Sequence, residues 1–204
     1  LGYNSGYGGT GSHSNNVGVG SNTLLAITTG GYNAILGSSA GTALTDGHNN
    51  IAIGSLALST STSAGLCIAI GDDAMRSGNV TAAADGSIAI GASALAALTS
   101  GSGNTAIGYQ AGLLNTTGAS NTYIGYAVAD ATHVDSTGNV AIGKNAFGGS
   151  HTTTASNYNT AVGEGAMSTG ALVGVDGATA IGYSALAALT SGEGNVAVGY
   201  TALA

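Results

Sequence analysis

The sequence predicts an all-β fold, a parallel β-solenoid whose coils of about 17 residues stack along one axis. Two observations predict it. An aliphatic residue followed by glycine recurs along the whole chain, and the chain combines 37 glycines and no proline with 44% apolar and only 5% charged residues. Because disordered chains are poor in apolar residues, the glycines must have fixed places in a packed structure.

The glycine that closes each motif defines the repeat. Successive copies are evenly spaced along the chain, and some units are longer by a small insertion. Self-similarity at a short fixed period is typical of a solenoid, so twelve copies predict about twelve coils. The repeat glycines are Gly2, Gly20, Gly37, Gly54, Gly71, Gly91, Gly108, Gly125, Gly143, Gly163, Gly182 and Gly199.

The three residues before each repeat glycine predict a short strand. The residue directly before the glycine is aliphatic in all twelve units, for example Ile53, Ile70, Ile107 and Ile142. The residue two positions earlier is often aliphatic, and Ala stands between them in eight of eleven units. A period of two places the aliphatic side chains on one face of a strand and the alanine on the other. Such a unit is too short for a strand followed by a helix, so a parallel β-coil remains.

Two polar columns appear when the units are aligned on the glycine. Asn stands four residues before it in eight of eleven units, for example at Asn50, Asn104 and Asn139. Identical amides stacked coil on coil can form a hydrogen-bonded ladder. Thr stands eight residues after the glycine in seven of eleven units, often with another Gly two residues later. That pattern suits a turn with positive φ.

A narrow coil predicts self-association. Alanine and glycine dominate the columns, and small side chains bury little apolar area. If one strand face points into the coil, the other apolar face needs a partner. We therefore expect a homo-oligomer in parallel register, although the number of subunits does not follow from this argument.

Several segments carry a family resemblance, which covers essentially the whole chain. Asn104–Gly112, Asn139–Ala146 and Ser87–Ala94 resemble the head repeats of YadA-like trimeric autotransporter adhesins, and the Tyr-containing units with turns such as Asn115–Gly118 resemble repeats of bacteriophage tail fibres. The resemblance implies a left-handed parallel β-roll that forms an intertwined or side-by-side homotrimer. It also implies an extracellular place, on a virion tail or a bacterial cell surface. The unit here is longer than the usual adhesin head repeat.

The chain boundaries and the net charge narrow the range of possible functions. Because the sequence begins and ends inside a motif, we expect residues 1–204 to be one repetitive segment, a window of a longer fibre without visible caps. The net charge of −7, with Arg76 and Lys144 as the two cations, argues against a nucleic-acid partner. No apolar run approaches the roughly 20 residues of a membrane span. Enzyme motifs are missing, so we expect no catalytic residue, no cofactor and no metal site.

Seven residues are candidates for receptor contact. His133 and His151 occupy the Thr column in adjacent coils and should stack, either as a contact or as solvated turn residues. Tyrosines directly after a repeat glycine either stabilise the coil by stacking or offer a sugar-binding surface. Arg76 begins the first of three longer loops, Arg76–Gly86, Gly148–Tyr158 and Met167–Gly177. The tyrosines are Tyr109, Tyr126, Tyr183 and Tyr200.

The sequence thus predicts a non-enzymatic fibrous attachment protein that binds a cell-surface glycan or protein receptor. Phage and bacterial origins stay open. Two alternatives remain, an ice-binding β-solenoid suggested by the Thr column and an inert structural filament or spacer. Cys67, which replaces the Asn of its column, is either a buried small residue or a cross-link between chains.

Overall fold

A computed structural model describes residues 2–3, 6, 14–132, 134–149 and 154–204. The predicted all-β solenoid is confirmed. The described part contains one parallel sheet of eleven three-residue strands, and each strand pairs with the next along the chain. A 3-10 helix, Ala82–Ala84, lies between β4 and β5. The strands are β1 Val17–Val19, β2 Ala34–Leu36, β3 Ile51–Ile53, β4 Ile68–Ile70, β5 Ile88–Ile90, β6 Thr105–Ile107, β7 Thr122–Ile124, β8 Val140–Ile142, β9 Thr160–Val162, β10 Thr179–Ile181 and β11 Val196–Val198.

The strands pair in the register that the repeat predicts. Ile51, at the start of β3, pairs with Ile68 of β4. Ile68 in turn pairs with Ile88, although the unit between them is three residues longer. The extra residues of long units therefore lie in loops and leave the sheet undisturbed. At about 4.8 Å per strand, the sheet is roughly 50 Å long.

The alanine face of each strand points into the coil. Ala52 and Ala69 are fully buried, whereas Ile51 and Ile53 are each 38% exposed. Residues after the repeat glycine, such as Leu58 and Leu98, also lie in the interior. The sequence alone left open which apolar face lies inside, and the structure places the aliphatic face outside.

Large and small residues compensate each other inside the coil. Ile35 takes the place of the strand alanine in β2, and Gly41 takes the place of the leucine in the same coil. A Cβ on Gly41 would lie 3.5 Å from Cγ2 of Ile35. Tyr123 replaces the alanine of β7, and a Cβ on Gly112 would lie 2.7 Å from Cδ2 of its ring. At these two places a large strand residue is thus accommodated by a nearby glycine, as close packing requires.

The repeat glycine brings successive coils into backbone contact. Its φ is 144° at Gly125 and 128° at Gly143, a region that residues with a Cβ rarely adopt. A Cβ on Gly125 would also lie 2.6 Å from the carbonyl oxygen of Gly143 in the next coil. Glycine is therefore required both by the bend and by the distance between coils.

The segment after the repeat glycine bonds to both neighbouring coils. The residues two and four positions after the glycine adopt positive φ, for example Leu56 at 58° and Leu58 at 55°. The N–H of Leu56 donates to the carbonyl of Ser38 in the preceding coil, and the N–H of Leu58 donates to Ala74 in the following coil. These bonds to both sides explain why bulky residues hold a backbone conformation that costs them free energy.

The predicted amide ladder is present in the interior. The side-chain amide of Asn50 donates to Oδ1 of Asn33 at 3.0 Å and to the carbonyl of Ala64 at 2.7 Å. The same pattern links Asn121 to Asn104 at 3.0 Å. Because the amides are buried, each bond satisfies a group that would otherwise destabilise the fold. Corresponding bonds extend the ladder to Asn16, Asn139 and Asn159.

Replacing Gly125 by Ala should destabilise the fold strongly. The new methyl meets the backbone of the next coil, and φ becomes strained, so we expect the free energy of unfolding to fall by about 3 kcal/mol. Chemical denaturation followed by circular dichroism measures it. Gly177→Ala is the matched control, because Gly177 also has positive φ (68°) but has nothing within 4 Å of an added Cβ. In this control the free energy of unfolding should fall by only about 1 kcal/mol. Equal losses in the two variants would contradict the coil contact.

Candidate functional site

The outward strand residues form one long apolar surface, which we call the aliphatic face. Each outward position in the described strands holds Val, Ile, Leu, Ala or Thr. The exposed fraction is 38% at Ile53, 37% at Ile107 and 40% at Ile181. Eleven strands about 4.8 Å apart, each with three residues of about 3.3 Å, give an area of about 500 Å². Apolar patches of this size mark interaction sites on many proteins.

Sequence reasoning missed a feature of this surface. Threonine holds the first outward position in four of the described strands, a position for which the sequence analysis identified only the aliphatic residues. These threonines are half-buried and all lie in the second half of the chain, at Thr105, Thr122, Thr160 and Thr179.

The tyrosines that follow the repeat glycine stack in pairs, as their positions in adjacent coils predict. The ring centroids of Tyr109 and Tyr126 lie 5.2 Å apart at an interplanar angle of 21°. Those of Tyr183 and Tyr200 lie 5.3 Å apart at 13°. The four side chains are 43% to 78% exposed. Stacking stabilises the coils and still leaves a large part of each tyrosine exposed to solvent.

An ion pair stands between the two tyrosine pairs. Nζ of Lys144 lies 3.2 Å from Oε1 of Glu164, and both side chains are more than half exposed. Lys144 and Glu164 each follow a repeat glycine directly, so they occupy the same column as the tyrosines. Sequence reasoning missed this continuity, although alignment on the glycine contains the signal. We call this column, from Tyr109 to Tyr200, the tyrosine ridge.

The second cation of the chain lies outside the ridge. Nη1 of Arg76 contacts both carboxylate oxygens of Asp73, at 3.0 and 3.1 Å. The Arg76 side chain is 43% exposed. The charge of Arg76 is therefore balanced within the same coil, so this side chain is less suited to bind an acidic receptor. Exposed ion pairs of this kind contribute little to stability.

The long loops that were candidates for receptor contact fold back onto the solenoid where they are described. In Arg76–Gly86, Val80 and Ala84 are buried, and in Met167–Gly177, Leu172 and Val175 are buried. His133 and His151, and part of Gly148–Tyr158, lie outside the described residues.

The hydroxyl groups of the threonine column form hydrogen bonds between coils. The hydroxyl of Thr28 donates to the carbonyl of Thr45 at 3.0 Å, and the hydroxyl of Thr99 donates to Thr116 at 3.0 Å. Thr45 makes the same bond to Thr62 at 3.1 Å. Because these hydroxyls already donate to the backbone, they offer solvent less than the ice-binding interpretation requires.

Cys67 is a buried small residue within the amide ladder. Its N–H donates to Oδ1 of Asn50 at 3.0 Å, and its Sγ lies 3.2 Å from the carbonyl oxygen of Gly65. Burial raises the pKa of the Cys67 thiol to about 11. A buried and protonated thiol is unreactive, so the structure argues against a cross-link between chains.

The described residues contain no group of three or more His, Cys, Asp or Glu residues placed to hold a metal ion. Nor do they include a helix with the length and apolar character needed to cross a membrane.

Comparison with known proteins gave no relative. No protein-family model, no curated protein and no solved structure matches this chain.

The thiol of Cys67 should react only when the protein unfolds. At pH 8 we expect a thiol reagent to label the folded protein at least about 100-fold more slowly than the protein in denaturant, because the folded thiol is buried and protonated. Between pH 9 and 11 the folded state holds the proton more tightly than the unfolded state. Stability should therefore fall as the pH rises through this window. Rapid labelling of the folded protein, or a disulfide-linked dimer on a non-reducing gel, would contradict the buried position.

Proposed function

We propose that this chain is a non-enzymatic fibrous attachment protein, the shaft or head of a bacteriophage tail fibre or of a bacterial surface adhesin. It acts outside the cell, assembles as a homotrimer, and binds a glycan or protein receptor on a cell surface. The observation that carries this proposal is the aliphatic face, which runs along the whole described sheet. A rod with one apolar side is suited to lateral association into a fibre.

The area of the aliphatic face supports assembly. Two such faces in contact would bury about 1,000 Å², the lower bound for a specific interface. The face carries no charged residue in the described strands, so its burial leaves no unpaired charge. Parallel packing would also keep equivalent coils at the same height. The number of subunits rests on the resemblance to trimeric fibres.

The polar groups support a structural role over a catalytic one. Threonine hydroxyls and Asn amides bond successive coils, and Oδ1 of Asp85 accepts the backbone N–H of Gly65 at 2.9 Å. Asp73 pairs with Arg76. Many polar side chains of the described residues are thus engaged in holding the solenoid together.

Charges on the aliphatic face should dissociate the assembly. Light scattering of the native protein should give three times the chain mass of 19.2 kDa. Ile107→Lys combined with Ile124→Lys places two charges on the face, and we expect a β-rich monomer because a buried unpaired charge is strongly unfavourable. Leu114→Lys is the matched control, an aliphatic residue that is 46% exposed and lies outside the sheet. It should remain trimeric.

Two results would contradict the proposal. One is a native protein that is folded but monomeric, which would contradict assembly into a fibre. The other concerns attachment, tested by the binding of fluorescently labelled native protein to a panel of bacterial cells. Retention on none of them would count against an attachment role.

A further inference from the structure

The tyrosine ridge is an addition that the fold does not require. In the first half of the chain the same column holds Tyr3, then Ser21, Ser38 and Ser55, and then Asp72 and Ala92. The three coils that carry serine stack with the same register. Small residues therefore satisfy the solenoid at this position. From Tyr109 onward six successive coils carry large side chains instead, in the order Tyr, Tyr, Lys, Glu, Tyr, Tyr. This change of composition points to a ligand.

The geometry of the ridge is linear and regular. The strands before these residues pair in register from β6 to β11, so their side chains form a straight row along the fibre axis. Five steps of about 4.8 Å give a row about 24 Å long. The two aromatic pairs are separated by three steps, from Tyr126 to Tyr183, or about 14 Å. A partner that repeats along its own length can contact both pairs at once.

The chemistry of the ridge favours an uncharged, hydroxyl-bearing ligand. Tyrosine combines an apolar ring with a polar tip, which suits a surface that is partly apolar and partly wet. Lys144 and Glu164 cancel each other's charge and still offer a donor and an acceptor at the middle of the row. Ala92 precedes Tyr109 in the column, and its methyl group is too small to cover the outer face of that ring.

We propose that the tyrosine ridge binds a linear uncharged polysaccharide that lies along the fibre axis. This inference rests on the proposed attachment function and names the class of its receptor. Pyranose rings contact the tyrosines, and the sugar hydroxyls bond to the tyrosine hydroxyls and to the Lys144–Glu164 pair. Two aromatic pairs on one polymer give avidity, so the loss of one pair weakens binding by much more than half. A globular protein partner fits less well, because its strongest contacts require desolvated pockets.

The test measures the retardation of the native protein in gels that contain laminarin, hydroxyethyl cellulose or dextran. Two double variants remove one aromatic pair each, Tyr109→Ser with Tyr126→Ser and Tyr183→Ser with Tyr200→Ser. Serine already occupies this column, so both variants should fold. We expect at least one polysaccharide to retard the native protein and each variant to bind it at least about tenfold more weakly.

The matched control is Tyr32→Ser with Tyr158→Ser. These tyrosines are 64% and 69% exposed, outside the ridge. Their column tolerates serine, because Ser120 holds the same positive φ, 58°. The control should bind within about twofold of the native protein, a difference too small to indicate a lost aromatic pair.

Three outcomes would overturn the inference. If none of the three polysaccharides retards the native protein, the proposed ligand is wrong. If the ridge and control variants lose equal binding affinity, the ridge is not the binding site. A smaller molar mass of the ridge variants would place these tyrosines in a contact between subunits. If the native protein still attaches to cells, each outcome leaves the proposed function in place. Failure of the native protein to attach to any of the cells would instead contradict the proposed function itself.

Discussion

The close contact between successive repeat glycines is the constraint on which the rest of this structure depends. At Gly125 a bend of φ 144° and a space too small for a Cβ coincide. Since each coil rests on the backbone of the next, equivalent residues are held at one strand spacing from each other. Every column of like residues follows from this register, including the Asn amides, the Thr hydroxyls and the stacked tyrosines.

The same constraint explains how an alanine-rich chain comes to expose the isoleucines and valines of its strands. A coil this short has little interior, so Ala52 and its equivalents face inward and Ile51 and Ile53 face outward. The result is a rod with little core per coil and an apolar side. Contact with further copies would cover this apolar side, and this links the composition of the chain to the proposed fibre.

The sequence predicted the features that depend on repetition alone. The repeat glycines, the Asn ladder and the tyrosine stacks required only that equivalent residues lie above one another. The choice of buried face could not be predicted, because a period of two is equally apolar on both sides at Ile51 and Ala52. Positive φ at Leu56 and Leu58 was equally hidden, because leucine carries no signal for that conformation. The packing of Ile35 beside Gly41 could not be predicted either, because it depends on how the closed coil brings the two residues together.

The most direct test of this account is a set of distances along the rod. Spin labels at Ser38 and at position 109, 126, 144 or 164, in a Cys67→Ser background diluted with unlabelled chains, report four to seven coil steps by double electron–electron resonance. The account predicts distances of about 19, 24, 29 and 34 Å, with equal increments of about 4.8 Å. The unit between positions 144 and 164 is three residues longer than the unit between 109 and 126, yet both should add the same distance. Increments that grow with the length of the unit would contradict the glycine contact as the feature that sets the coil spacing.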